Sequence, residues 1–281
     1  MAGKEVAKVK NNANAVATFD YGEHAHAGFE DTTIADLSIP FIKIMQSNSP
    51  EVEDELIDGV KSGDLVNSVS KEIIHQPFIV QPVYKESAIV EWAPRGKGGV
   101  VARHELDSKV FLDAIKKNNG SRIPPKDAEG KRIPFKSPDG NDLVETYYVY
   151  CLIMDEAGES AEGFCVLSFS STNIKVYKDW QTSMYSLKGA PPIYANRCKV
   201  STAKQRNDLG AFYTYSISPM NETYAASLIN PGETLGLALL EEGRDFAKMI
   251  DNGLARADFD SVSGDGGSDE TPTPDDDEIP F

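Results

Sequence analysis

A mainly β fold, a small barrel elaborated by long insertions and inserted helices, is what this sequence predicts, and three observations predict it. Two strand-like runs, 145–155 and 162–170, flank a turn over 156–161, and Tyr148, Tyr150, Leu152 and Met154 alternate as one buried face of a hairpin. Further runs of strand character lie at 72–84, 88–93, 99–105, 194–202 and 212–218. The helical stretches fall between these runs without regular β-α-β alternation.

The elements follow in order. Residues 1–35 are polar and Ala-rich, with Asn11, Asn12 and Asn14, and read as a flexible N-terminal arm. The segment 34–45 begins the fold, with Pro40 interrupting any helix. Asn48-Ser49-Pro50 marks a turn. A helix is expected over 108–117 from the spacing of Val110, Phe111, Ala114 and Ile115. Residues 118–142 form a long basic loop holding Pro124, Pro125, Pro134 and Pro138, a flap in character. A helix over 173–187 ends before Gly189 and Pro191-Pro192, and a last helix covers 234–254. The folded domain is thus placed at 36–256 and an acidic tail at 257–281, and no internal repeat is visible. Among small barrels, the OB-fold is the version most used for single nucleic-acid strands.

At 281 residues, with 40% hydrophobic and 9% aromatic composition, the chain can bury a sizeable core. Apolar runs such as Leu237 to Leu240 fall far short of the roughly 20 residues of a membrane helix. The polar N-terminus has no apolar core of a secretory signal. Cys151, Cys165 and Cys198 are odd in number and lack CxxC spacing, which argues against a disulfide scaffold or zinc site and fits a reducing cytoplasm.

The net charge of −16 argues against a nucleic-acid partner until its distribution is counted. Residues 95–136 carry 11 basic and 5 acidic side chains, and residues 171–207 carry 7 and 1. Residues 258–281 carry 9 acidic side chains and no basic one. Two basic segments therefore sit inside an acidic protein.

From residue 257 onward the composition of Asp, Gly, Ser, Thr and Pro predicts disorder. A solubilising tail explains the acids but not the apolar end Ile279-Pro280-Phe281. That end suits a docking peptide whose side chains enter a pocket while a basic partner residue captures the carboxylate. The tip Asp275-Asp276-Asp277-Glu278-Ile279-Pro280-Phe281 resembles the acidic tip of bacterial single-stranded DNA-binding proteins, which ends in an Asp run and Ile-Pro-Phe. It departs only by Glu278, a like-charge change. Phage single-stranded DNA-binding proteins similarly end in an acidic tail with a terminal Phe. The remainder of the chain does not follow the bacterial protein, so the resemblance implies a phage or mobile-element version acting in the bacterial cytoplasm. It also implies single-stranded DNA and replication or recombination proteins as partners. The sequence fits a monomer or a homo-oligomer equally.

The body offers what a single strand needs, cations for phosphates and aromatic faces for bases. Arg197, Lys199, Lys204 and Arg206 surround a strand end, Lys175 and Lys178 lie on the helix before it with Tyr185 and Lys188 following, and Tyr194 and Tyr213 supply further rings. A second cluster gathers Trp92, Arg95, Lys97 and Arg103 around a glycine-rich hairpin loop. Tyr177, Trp180, Met184 and Leu187 recur at i, i+3, i+7 and i+10, a stripe that reads as core rather than as a ligand platform.

No enzyme reading outweighs these. Arg95 to Gly99 is not a phosphate-cradling P-loop and precedes a strand-like run. His24 and His26 lack a third ligand nearby, and His104 before Glu105 reads as strand surface. Neither catalytic residues nor a metal or cofactor is expected.

Overall fold

Two long antiparallel strands form the spine of the fold. The computed structural model describes residues 28–33, 36–94, 99–128, 130, 132–207 and 210–259. The chain divides into two units, 1–33 and 34–281. Of the first, residues 28–33 form an exposed turn in which the Thr32 N–H donates to the Phe29 carbonyl at 2.9 Å. Of the arm expected over 1–35, residues 1–27 and 34–35 lie outside the described residues.

In the second unit the elements run β1 (Ser38–Ile39), β2 (Ile42–Ile44), α1 (Pro50–Glu53), β3 (Leu65–Asn67), β4 (Ile73–Ile74), β5 (Phe78–Trp92) and β6 (Val100–His104). There follow α2 (Lys109–Lys117), β7 (Phe135–Lys136), β8 (Asp142–Met154), β9 (Ala161–Ser170), α3 (Asn173–Tyr185), β10 (Cys198–Asn207), β11 (Gly210–Pro219), α4 (Thr234–Asp251) and β12 (Arg256–Ala257).

The spine is β5 against β8, paired from Ile79↔Met154 to Trp92↔Asp142. The two strands expected at 72–84 and 88–93 are largely one, because Pro82 sits at a register shift between Pro82 and Tyr84. A bulge is where a central strand accepts a proline, and it also switches the side-chain parity. Ile79 before it and Val83 within it therefore share one core with Ala88 and Val90 after it. At one end β10 joins β5 and β11 follows β10, while β9 lies along β8. At the other end β6 joins β5 and β7 joins β8, with Phe135 of the long basic loop buried in a small core beneath α2.

The fold is mainly β, but among the described residues its strands do not close into a barrel. They form an open seven-stranded sheet with α3 on one face and α4 on the other. Closure requires free strand edges, and those of β11 and β9 are occupied. On β11 the Tyr213 N–H and C=O both bond the Gln46 side chain at 2.9 Å, and the Tyr215 N–H donates to Asn173 Oδ1 at 2.9 Å. On β9 the Val166 N–H donates to the Pro40 carbonyl at 2.8 Å. The predicted hairpin is present, yet it is buried on both faces rather than one. Tyr148, Tyr150, Leu152 and Met154 face the core shared with Leu239, Phe246 and Ile250 of α4. Val149 and Cys151 face the core shared with Tyr177, Trp180 and Met184 of α3.

Gln81, fully buried, fastens α4 down, its Nε2 donating to the carbonyls of Tyr194 and Leu239 at 2.6 and 3.1 Å. Gly243 makes room for it, since a Cβ there would sit 2.6 Å from Gln81 Nε2. Instead of a single lead-in, residues 38–45 supply β1 and β2, and β2, β3 and β4 form a separate three-stranded sheet. β12 pairs in parallel with β1, the Asp258 N–H donates to the Ile39 carbonyl at 2.9 Å, and the Phe259 ring packs on Phe41 and Tyr148. Residues 257–259, assigned to the tail by composition, thus belong to the fold, because Phe259 finds a ring-lined site that no acidic run provides.

Candidate nucleic-acid interface

Helix α3 carries two interleaved stripes. Tyr177, Trp180 and Met184 point into the core, at 8%, 2% and 4% exposure, as the spacing predicts. Lys175, Lys178, Thr182 and Tyr185 follow the same i, i+3, i+7, i+10 spacing two residues earlier or one later, and all four are exposed. Tyr185 is 88% exposed, a large ring left in solvent. Beside it an open groove of about 310 Å³ runs between the end of α3, Lys85 of β5 and the 191–196 segment. Gln181, Met184, Pro191, Ile193 and Asn196 line it. The chain enters this groove through Gly189 and Ala190, both with positive φ (89° and 44°), a conformation that costs Ala190 strain.

Lys204 and Arg206, exposed on β10, share the α3 side of the sheet by strand parity with Cys198 and Val200. Tyr213 lies opposite Lys204 in register, with the ammonium 5.9 Å from its ring centroid. The ring is half-buried against Gly63, where a Cβ would come within 2.5 Å of it.

The structure disperses the other predicted residues. Lys199 lies between Cys198 and Val200 and so faces the α4 side. Arg197 is a structural clamp rather than a phosphate contact. Its guanidinium donates to the carbonyls of Gly158 at 2.9 Å, Ser227 at 3.4 Å and Leu228 at 3.5 Å. Arg103 is likewise engaged, 3.3 Å above the Phe259 ring, 4.8 Å from the Tyr148 ring and 3.4 Å from Glu86 Oε1. Trp92 packs half-buried against the α4-side core. Tyr194 lies in a 3-10 turn, Ile193–Ala195, rather than in a strand, and lines a separate groove of about 430 Å³ against Leu237 and Leu240 of α4. Arg95 and Lys97, like Asp275 to Phe281, lie outside the described residues.

Lys85, Gln181 and Asn196, which line the groove, were not among the sequence candidates, whereas Tyr185 stood among the rings of the basic segment 171–215. Their signal was indirect, since a core stripe at Tyr177, Trp180 and Met184 leaves the intervening helical positions to solvent.

The buried ionisable groups serve packing. Burial pushes the Cys198 thiol up to about 12, although the Trp180 indole N–H donates to it at 3.3 Å and acts in the opposite direction. Burial also raises the Tyr147 and Tyr177 hydroxyls, with Glu145 adding to both, and the two rings stack at 4.2 Å. Burial pushes the Glu91 carboxyl up, but hydrogen bonds from Asn141, His104 and Ser137 outweigh it and hold the group below the usual carboxylate range. His104 Nε2 lies 2.7 Å from Glu91 Oε2, so this histidine is part of a half-buried pair rather than plain strand surface. Among the described residues no group of three His, Cys, Asp or Glu side chains is arranged to hold a metal, and no helix is long and apolar enough to cross a membrane. His24 and His26 lie outside the described residues.

Residues 9–253 match the family of Pam3 phage gp34-like proteins. The chain belongs to this phage family. The match runs through α4 and stops before β12 and the acidic tip. No curated protein and no solved structure matches the chain.

Proposed function

We propose that this phage-family protein binds single-stranded DNA without strong sequence preference in replication, recombination or repair. Its Asp275 to Phe281 segment would recruit partner enzymes. The observation that carries the reading is the exposed Tyr185 ring beside an open groove that Lys85 also lines, at the end of a helix whose exposed face carries Lys175 and Lys178. A solvent-facing aromatic offers a stacking surface to any base, worth roughly 1–3 kcal/mol per base. Lysines at this spacing meet backbone phosphates and release counterions, making affinity salt-sensitive. Lys204 and Arg206 add exposed cations on the same side of the sheet. Such an interface needs no barrel, only a positive surface with an exposed ring.

Fluorescence anisotropy with labelled oligo-dT tests this at two salt concentrations, comparing the full chain with one ending at Phe259, which keeps β12 and the Phe259 contacts. Salt-sensitive binding that tightens without the acidic segment is expected, because that segment competes as a polyanion. No binding by either form at low salt would leave an adaptor defined by its tip.

A further inference from the structure

Two residues that line the groove beside Tyr185 each hold a buried polar atom with no hydrogen-bond partner in the protein. Gln181 Nε2, a donor, and Asn196 Oδ1, an acceptor, are both shielded from solvent and unbonded, and both residues line the groove. Asn196 is 1% exposed. Orphaned buried polar groups are rare and costly, and a ligand is one reason to keep them. The Asn196 amide cannot simply turn over, because its Nδ2 donates to the carbonyls of Pro192 at 3.3 Å and Ile193 at 3.1 Å. Reversing it would set an oxygen against two oxygens. The acceptor therefore stays an acceptor.

We propose that this groove is a pocket for one nucleobase, drawn from the strand that the α3 face binds; the proposal rests on the single-stranded DNA reading and specifies its ligand. A planar group that presents a donor and an acceptor offers each orphan a partner once the two side chains shift to meet it. Every nucleobase has such a pair on its Watson–Crick edge: an amino or imino N–H for Asn196 Oδ1, and a ring nitrogen or carbonyl oxygen for Gln181 Nε2. Met184, Pro191 and Ile193 give the base apolar walls, Tyr185 a ring to stack on, and Lys85 a cation for the adjoining phosphate. The volume of about 310 Å³ is at the small end of ligand pockets, which run to about 1,000 Å³, and suits one base rather than a duplex. Because all four bases meet the same two requirements, the pocket recognises a base without choosing among them.

The test uses the full chain with two labelled oligonucleotides of equal length, one of mixed sequence and one abasic with the same phosphates. The intact protein is expected to prefer the base-bearing strand. Gln181→Met, which keeps the shape and removes the donor, should weaken that strand by about 5- to 10-fold while leaving the abasic strand unchanged. Tyr185→Ala, an exposed change that spares the fold, should act in the same direction, and circular dichroism checks that both variants are folded. Equal affinity of the intact protein for the two strands would overturn the pocket while leaving DNA binding standing. So would a Gln181→Met variant that keeps the preference. Binding of neither strand at low salt would overturn both.

Discussion

The two helices that cover the sheet bury similar stripes and present opposite outer faces. α3 carries Lys175 and Lys178 against Asp179, and ends in the exposed Tyr185. α4 carries Glu241, Glu242, Asp245 and Asp251 against Arg244 and Lys248, and Asp245 engages both of those cations, at 3.1 and 3.2 Å. Its large exposed apolar residues are Leu235 and Leu237, not aromatic rings. With both faces of its central part covered, the sheet offers a ligand bare surface only toward strand ends such as Lys204 and Arg206 of β10, so binding falls mainly to the outer sides of its covering layers. Only one of these has the chemistry a polyanion requires.

The comparison breaks most completely if the layer under α3 is removed. Trp180→Ala should destabilise the protein by about 3–5 kcal/mol, since it empties a fully packed site against Phe169 and Cys198. Urea unfolding measures this, and a loss below about 1 kcal/mol would mean that α3 is not anchored as described.

Charge reversal sharpens the comparison at intermediate size. Lys175→Glu with Lys178→Glu should lower oligo-dT affinity at least about tenfold and reduce the salt slope by about 1.4. Arg244→Glu with Lys248→Glu, the same change in charge on the other face, should leave both nearly unchanged. Equal losses from the two pairs would show a diffuse field rather than a face.

The smallest effect lies away from both helices. Glu91 has a lowered carboxyl pKa in the fold, so its contribution is fully present above the unfolded carboxylate range and is lost as pH falls through the lowered folded value. Glu91→Gln should therefore be destabilising near neutrality, with the gap to the native chain closing in acid. Thermal melts across the pH range measure that gap, and one that stays constant would remove the ionised carboxylate from the account.

The hairpin β8–β9 and helices α2, α3 and α4 were legible because alternation and helical spacing are local. The length of β5 was not, since Pro82 and the polar Lys85-Glu86-Ser87 run look like breaks until the bulge and the pairing with β8 are known. The layered architecture was hidden for a related reason. Val149 and Cys151, between the tyrosines of β8, do not announce that a helix lies on their side too. Among the candidate contacts, the exposure of Lys175 and Lys178 was legible because a helix face outside the core keeps lysines in water. Arg103 and Arg197 were not, because their partners lie far along the chain, at Phe259 for one and at Gly158, Ser227 and Leu228 for the other.

The three buried cysteines supply a built-in clock. Cys151, Cys165 and Cys198 are the chain's only thiols, each is free and each is 0% exposed. A thiol reagent added to the native protein meets nothing to label until the layer beneath α3 opens, so its rate of incorporation times that opening directly. The same silence lets a cysteine introduced at Tyr185 stand as a single address on the surface, ready to carry a probe to the face where a strand would lie.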